Sequence, residues 1–118
     1  IFQLSNLHTL RLATRKRGFN NTRIPTEIGM LHYLSHLDLS GNSFGSSVPS
    51  EFGRLRSLRD LRLASADLTG ELPSELGELF SMERLLLSDN PALGGPLPVG
   101  VKTWYALRDL QLSGTKLA

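Results

Sequence analysis

Three histidines, His8, His32 and His36, are the residues of this 118-residue chain best suited to hold a metal or to act as a catalytic base. Two of them stand in a His-x3-His spacing, but either role requires imidazoles to converge with carboxylates. The chain has no cysteine, which removes thiol chemistry and disulfides. No glycine-rich phosphate loop, no Gly-x-Ser-x-Gly elbow and no kinase motif occurs, and the glycines fall where turns need them. Catalysis by these residues is not expected, and no cofactor or metal is implied.

What remains is a set of charged and polar side chains at regular intervals, and a repeat sets those intervals. Pro25, Pro49 and Pro73 stand 24 residues apart, in Ile24-Pro25-Thr26, Val48-Pro49-Ser50 and Leu72-Pro73-Ser74, with Leu97-Pro98-Val99 a further 25 on. Leucine-patterned segments lie between these anchors: LHTLRLATR from Leu7, LSHLDLSGN from Leu34, LRDLRLASA from Leu58, MERLLLSDN from Met82 and LRDLQLSGT from Leu107. All five share one template, LxxLxLxxN, with Met82 standing for the first leucine in one and the final asparagine present at Asn42 and Asn90.

The LxL core alternates apolar and variable positions, the period of a strand with one face buried and one face wet. Phe19, Phe44, Leu68 or Leu93 follows, then a Gly/Ser/Asn turn, the proline and a PTEIG, PSEFG or PSELG run. Thr26, Ser50 and Ser74 are expected to cap a short helical turn there, with Glu27, Glu51 and Glu75 at its positive end. A unit this small cannot bury its apolar side alone, so neighbours must stack and pool their leucines into one core. Successive strands then form a parallel sheet on the concave face of a curved solenoid, with the helical turns on the convex face.

The run LTGELPSELGEL, Leu68 to Leu79, resembles the leucine-rich repeat family in its plant-specific extracellular, 24-residue LxGxIP class. The resemblance covers all 118 residues as about four and a half repeats. It implies an α/β repeat solenoid: a right-handed leucine-rich repeat superhelix with a parallel β-sheet on its concave face. It also implies a non-catalytic segment that binds a protein or peptide, as in receptor-like proteins and receptor-like kinase ectodomains. Extracellular or cell-surface localisation goes with that class, although zero cysteines remove its paired-cysteine caps and leave a cytoplasmic home open.

Aligning the repeats identifies the concave columns. One reads Thr9, His36, Asp60, Arg84, Asp109, and the central one reads Arg11, Asp38, Arg62, Leu86, Gln111. Equivalent residues on adjacent parallel strands lie about 4.8 Å apart, so two charge-alternating ladders are expected, Arg11–Asp38–Arg62 and Asp60–Arg84–Asp109. Such ladders can simply keep the sheet soluble, each pair worth about 0–1 kcal/mol. The same rigid, variable surface is also a docking face, and His36, Asp38, Asp60, Arg62, Arg84, Leu86 and Gln111 are its candidate ligand contacts. Leu86, apolar among charges and amides, either anchors a ligand or packs against neighbouring aliphatic stems. In the same frame His32 falls on the convex side while His36 is concave, so the two do not form a metal pair.

The net charge of +2 does not mark a nucleic-acid surface. Concave arginines are matched by carboxylates, and the excess gathers at Arg15, Lys16, Arg17 and Arg23, too small a patch to follow a phosphate backbone. That patch lies in the loop of the first unit, whose segment ATRKRGFNN carries three extra residues; the same loop holds Asn20-Asn21-Thr22, an N-glycosylation sequon with Asn20 as acceptor. Asn42 and Asn90 occupy the strand-end asparagine position of the family, but Ala66, Thr115 and Arg15 stand there in the other units, which predicts an incomplete ladder. Trp104 replaces the leucine of Leu31, Leu55 and Leu79 and is expected to pack between turns, while Lys102 replaces a recurrent glycine.

Ile1 aligns with Ile28 and Leu4 with Leu31, so residues 1–118 are expected to be one solenoid fragment, uncapped at both ends. No run of 18 or more apolar residues is present, and any membrane attachment would come through other parts of a parent chain. Two further readings stay open. The segment could be the recognition part of a larger enzyme such as a leucine-rich repeat receptor kinase, or it could be a purely structural scaffold.

Overall fold

A computed structural model of the chain describes residues 6–13 and 23–118. The inserted basic residues Arg15, Lys16 and Arg17 and the sequon at Asn20 lie outside the described residues. The strands are β1 (Thr9–Arg11), β2 (His36–Asp38), β3 (Asp60–Arg62), β4 (Thr69–Glu71), β5 (Arg84–Leu86), β6 (Ala92–Gly95), β7 (Asp109–Gln111) and β8 (Lys116–Leu117). Four 3-10 helices, Thr26–Met30, Ser50–Arg54, Ser74–Glu78 and Val99–Thr103, alternate with them. No helix among the described residues is long and apolar enough to cross a membrane.

The leucine alignment predicts the strand register. β1, β2, β3, β5 and β7 form one parallel sheet in that order, with Leu10, Leu37, Leu61, Leu85 and Leu110 as successive partners. Parallel neighbours require a crossover between them, and here each crossover is the rest of one repeat. Leu37, Leu61 and Leu85 point into the core at 1% exposure or less, as do Leu39, Leu63 and Leu87 one step along. Leu34, Leu58 and Met82 fill the space below, with Phe44, Leu68 and Leu93 on one flank and Ile28, Phe52 and Leu76 on the other. At about 1.5–3 kcal/mol for each buried aliphatic side chain, lateral burial is what holds a chain of such short elements together.

A second parallel sheet, β4-β6-β8, runs along the descending side of the stack. The sequence gives no apolar signal for it, because Thr69-Gly70-Glu71 is half-buried or exposed and joins the sheet through its backbone.

The helical turns form where expected, but the caps are not the expected ones. Pro25, Pro49, Pro73 and Pro98 occupy the cap position, with φ between −57° and −68°, and no side chain caps any of the four turns. Thr26, Ser50 and Ser74 are instead the first helical residues. The ring fixes φ near its helix-compatible value, and the proline carbonyl accepts the first turn's hydrogen bond, from Phe52 N–H to Pro49 at 3.1 Å for example. Glu27, Glu51 and Glu75 do lie in the first turn.

Adjacent turns approach closely at a glycine. A Cβ on Gly53 would lie 2.6 Å from Glu75 Cβ and 2.8 Å from Glu75 O of the next turn. Trp104 packs in the column of Leu31, Leu55 and Leu79 at 5% exposure, and its Nε1–H finds no hydrogen-bond partner among the described residues.

The asparagine ladder is incomplete, and the gap at Ala66 is bridged from the next unit. Asn42 donates Nδ2–H to Leu39 O at 2.8 Å and Leu12 O at 2.9 Å. Asn90 donates to Leu87 O and Leu63 O, and its Oδ1 accepts from the backbone N–H groups of Ala66 and Leu68. Thr115 donates Oγ1–H to Leu112 O at 2.6 Å. The turn that lacks its own asparagine is therefore held by the one from the next unit.

Candidate functional site

Side chains flanking each inward leucine project from the five-stranded sheet, because alternate residues of a strand face opposite sides. The register sets His36, Asp60, Arg84 and Asp109 in one row and Asp38, Arg62, Leu86 and Gln111 in the next.

One of the two expected ladders is present. Arg84 reaches Asp60 through Nη1 at 3.9 Å and Asp109 through Nε at 3.6 Å. The other, Arg11–Asp38–Arg62, does not form as drawn. Arg62 turns back along its own strand to Asp60, donating Nε–H to Oδ1 at 3.0 Å and Nη2–H to Oδ2 at 3.1 Å. Asp38 accepts the backbone N–H of Ser40 at 3.0 Å. A two-point guanidinium–carboxylate fork outcompetes a single cross-strand contact. Its hydrogen bonds to Asp60 hold the Arg62 guanidinium above its ordinary pKa, against the opposing effect of partial burial, with smaller pulls from Asp38 and Asp109.

Gln111 donates Nε2–H to Asp109 Oδ1 at 3.3 Å. Five polar residues thus form one chain, Arg62–Asp60–Arg84–Asp109–Gln111. Its second member, Asp60, is a buried carboxylate at 9% exposure. Of the sequence-selected residues, this chain brings together Asp60, Arg62, Arg84 and Gln111. It adds Asp109, which stood in the aligned column but was not among the chosen contacts. Leu86 sits between Arg62 and Gln111, half-buried.

His36 lies apart from that chain. Its Nδ1 is 2.8 Å from Ser35 Oγ, and it borders a depression of about 180 Å³ with Arg59, Asp60, Glu83, Arg84 and Arg108. Arg59, Glu83 and Arg108 occupy the position just before each strand, a third column that recurs once per repeat and was not among the selected contacts. Arg59 and Glu83 approach to 3.8 Å. His32 is exposed and precedes β2, so it does not share a site with His36. Among the described residues no group of three or more His, Asp or Glu side chains could hold a metal ion. What the face offers chemically is charge, hydrogen bonding and one apolar spot, on a floor of short strands.

A family model for a leucine-rich repeat region matches residues 1–95. Among solved structures, the ectodomain of the plant membrane receptor kinase GASSHO1/SCHENGEN3 from Arabidopsis thaliana, in complex with CASPARIAN STRIP INTEGRITY FACTOR 2, superposes with a TM-score of 0.87 at 34% identity. That match covers 97% of this chain and 13% of the receptor chain. The ectodomain of the Arabidopsis thaliana receptor kinase SOBIR1 gives 0.82 at 32% identity, over 98% of this chain and 60% of that one. A Leptospira interrogans leucine-rich repeat protein gives 0.78 at 31% identity, over 98% of this chain and 27% of its own. The chain thus spans only part of each of these proteins. No curated protein matches it by sequence.

Proposed function

The chain belongs to the leucine-rich repeat family, in its plant-type extracellular class, and from that premise we propose that it is a non-catalytic recognition segment of a receptor-like ectodomain. Its concave face takes a protein or peptide partner, with His36, Asp38, Asp60, Arg62, Arg84, Leu86 and Gln111 lining the docking surface. The observation that carries this reading is the rigid parallel sheet whose outward side chains are already ordered by their own contacts, so little ordering cost remains on binding. The complex of the GASSHO1/SCHENGEN3 ectodomain with its factor supports the partner class and an extracellular setting.

A selection from a displayed library of random linear peptides tests it. Peptides enriched on the wild-type chain should lose binding to the concave double variant His36→Glu/Gln111→Arg and keep it on Arg54→Glu, a convex change. Binding that survives the double variant, or no enrichment at all, overturns the reading in favour of a structural scaffold. A larger parent enzyme is a compatible second reading, favoured by the receptor kinases among the similar structures.

A further inference from the structure

Resting on the concave face as the docking face, we infer that its recognition centre is Leu86 and that the partner presents there a single apolar side chain from an otherwise polar peptide segment. In this arrangement Asp60, Arg62, Arg84 and Asp109 position one another and do not pair with the partner.

The argument begins with the register. Leu86 is flanked across the sheet by Arg62 and Gln111, at the roughly 4.8 Å spacing of neighbouring strands. Both neighbours lean toward the other row: Arg62 forks onto Asp60 and Gln111 donates to Asp109. Arg84, two residues back on the strand of Leu86 and on the same face, spans Asp60 and Asp109. The five-residue polar chain therefore passes around Leu86 on three sides.

On the fourth side the side chains are short. Ser88 follows two residues on, with Ala64 and Ser113 at the equivalent places in the adjoining repeats. The two serines are paired with each other, Ser113 Oγ–H donating to Ser88 Oγ at 3.1 Å, and the backbone N–H of Ala64 donates to Oγ of Ser40, the equivalent residue one repeat earlier, at 3.2 Å. The leucine adjoins a low shelf of small residues.

Charge decides what can settle there. Two arginines and two aspartates in the surrounding chain cancel, and both oxygens of Asp60 are taken by Arg62. An incoming charged group would have to break these pairs to make its own, for little net gain. Covering Leu86 disturbs none of them. A satisfied polar ring that excludes water around one apolar contact is the arrangement in which such a contact contributes most to affinity. A lone leucine among polar neighbours suits one side chain and not a broad hydrophobic surface, since it forms no contiguous patch.

The peptide selection, extended, is the test. Peptides enriched on the wild-type chain should share one Leu, Ile, Val, Met or Phe position with polar flanks. Synthetic peptides from that pool should bind Leu86→Gln and Leu86→Ser about tenfold or more weakly. Substituting alanine at the shared apolar position should have no further effect on Leu86→Gln, the mark of a direct contact. Circular dichroism melting of both variants checks that the fold is kept, as the half-exposed site permits. A consensus built on Asp, Glu, Lys or Arg overturns the inference. So does binding that is lost on His36→Glu/Gln111→Arg yet unchanged on both Leu86 variants, although the docking face then stands. Binding that survives all the concave variants removes the docking face itself.

Discussion

Asn90 Oδ1 accepts the backbone N–H of Ala66 at 3.0 Å, across 24 residues of sequence, and thereby closes a turn belonging to the preceding repeat. The same oxygen accepts from Leu68, while Nδ2 donates to Leu63 O and Leu87 O. Asn90 is fully buried, so Asn90→Ala would strand these groups away from water. An unpaired buried polar group costs about 1–3 kcal/mol. The expected loss is at least 2 kcal/mol, roughly the lower end for two stranded groups, measured by denaturant unfolding. Serine at Asn90 should recover only part of it, because one hydroxyl cannot serve both turns.

Gly53 is held by geometry of another kind. A side chain there would drive its Cβ to within 2.8 Å of a backbone oxygen in the next turn, so Gly53→Ala forces two helical turns apart. Overpacking of this type costs about 1–3 kcal/mol. Lys102 occupies the same place in the last turn and is exposed, so Lys102→Ala should change stability by less than about 0.5 kcal/mol. Equal effects at the two positions would refute steric contact between turns as the reason for the glycine.

Much of this architecture could be read from leucine spacing. Leu37, Leu61 and Leu85 recur at one place in each repeat, and burial in a shared core leaves their strands a single register. β4 and β6 escaped because Thr69-Gly70-Glu71 carries no alternation of apolar and polar residues. Their ladder is made of backbone groups that every sequence possesses. The capping role of the prolines was missed for a related reason: Ser and Thr advertise a side-chain acceptor, whereas Pro49 acts through its fixed φ and its carbonyl. At the concave face, alignment placed Arg62 beside Asp38 correctly but could not give its rotamer. Asp60, two residues back on the same strand, offered two hydrogen bonds against one cross-strand attraction. The insertion with Asn20 lies outside the described residues, and its glycosylation is a proposal, checked by the mass of the protein, expressed through a eukaryotic secretory pathway, before and after glycosidase treatment.

The Arg62–Asp60 fork should leave a characteristic pH signature. Arg62 has its folded pKa raised, so the stabilisation it provides is fully present below the unfolded arginine value and fades only as pH climbs through the folded one. That window is strongly alkaline. The destabilisation by Arg62→Gln should therefore be constant from about pH 6 to 9. With 37% of the side chain exposed to screening solvent, the loss should be of surface-pair size, about 0.5–1 kcal/mol. Parallel urea titrations of wild type and variant across that range provide the check. A cost that shrinks between neutral and mildly alkaline pH would point to some other titrating partner.

Leu61 and Leu110 hold the same register position in β3 and β7, yet one is fully buried and the other 39% exposed. If lateral stacking is the main source of stability, the same deletion should have different consequences at the two places, because energy in such a stack comes largely from interfaces with neighbours. Leu61→Ala removes a side chain enclosed by repeats on both sides and leaves a cavity, at a cost of about 2–5 kcal/mol. Leu110→Ala removes one already open to water and should cost less than about 1.5 kcal/mol, the lower end of the range for burying such a side chain. Chemical denaturation of the two variants, with wild-type m-values retained, separates the cases. Similar losses at both positions would mean that strand pairing, and not burial between coils, dominates the stability of this chain.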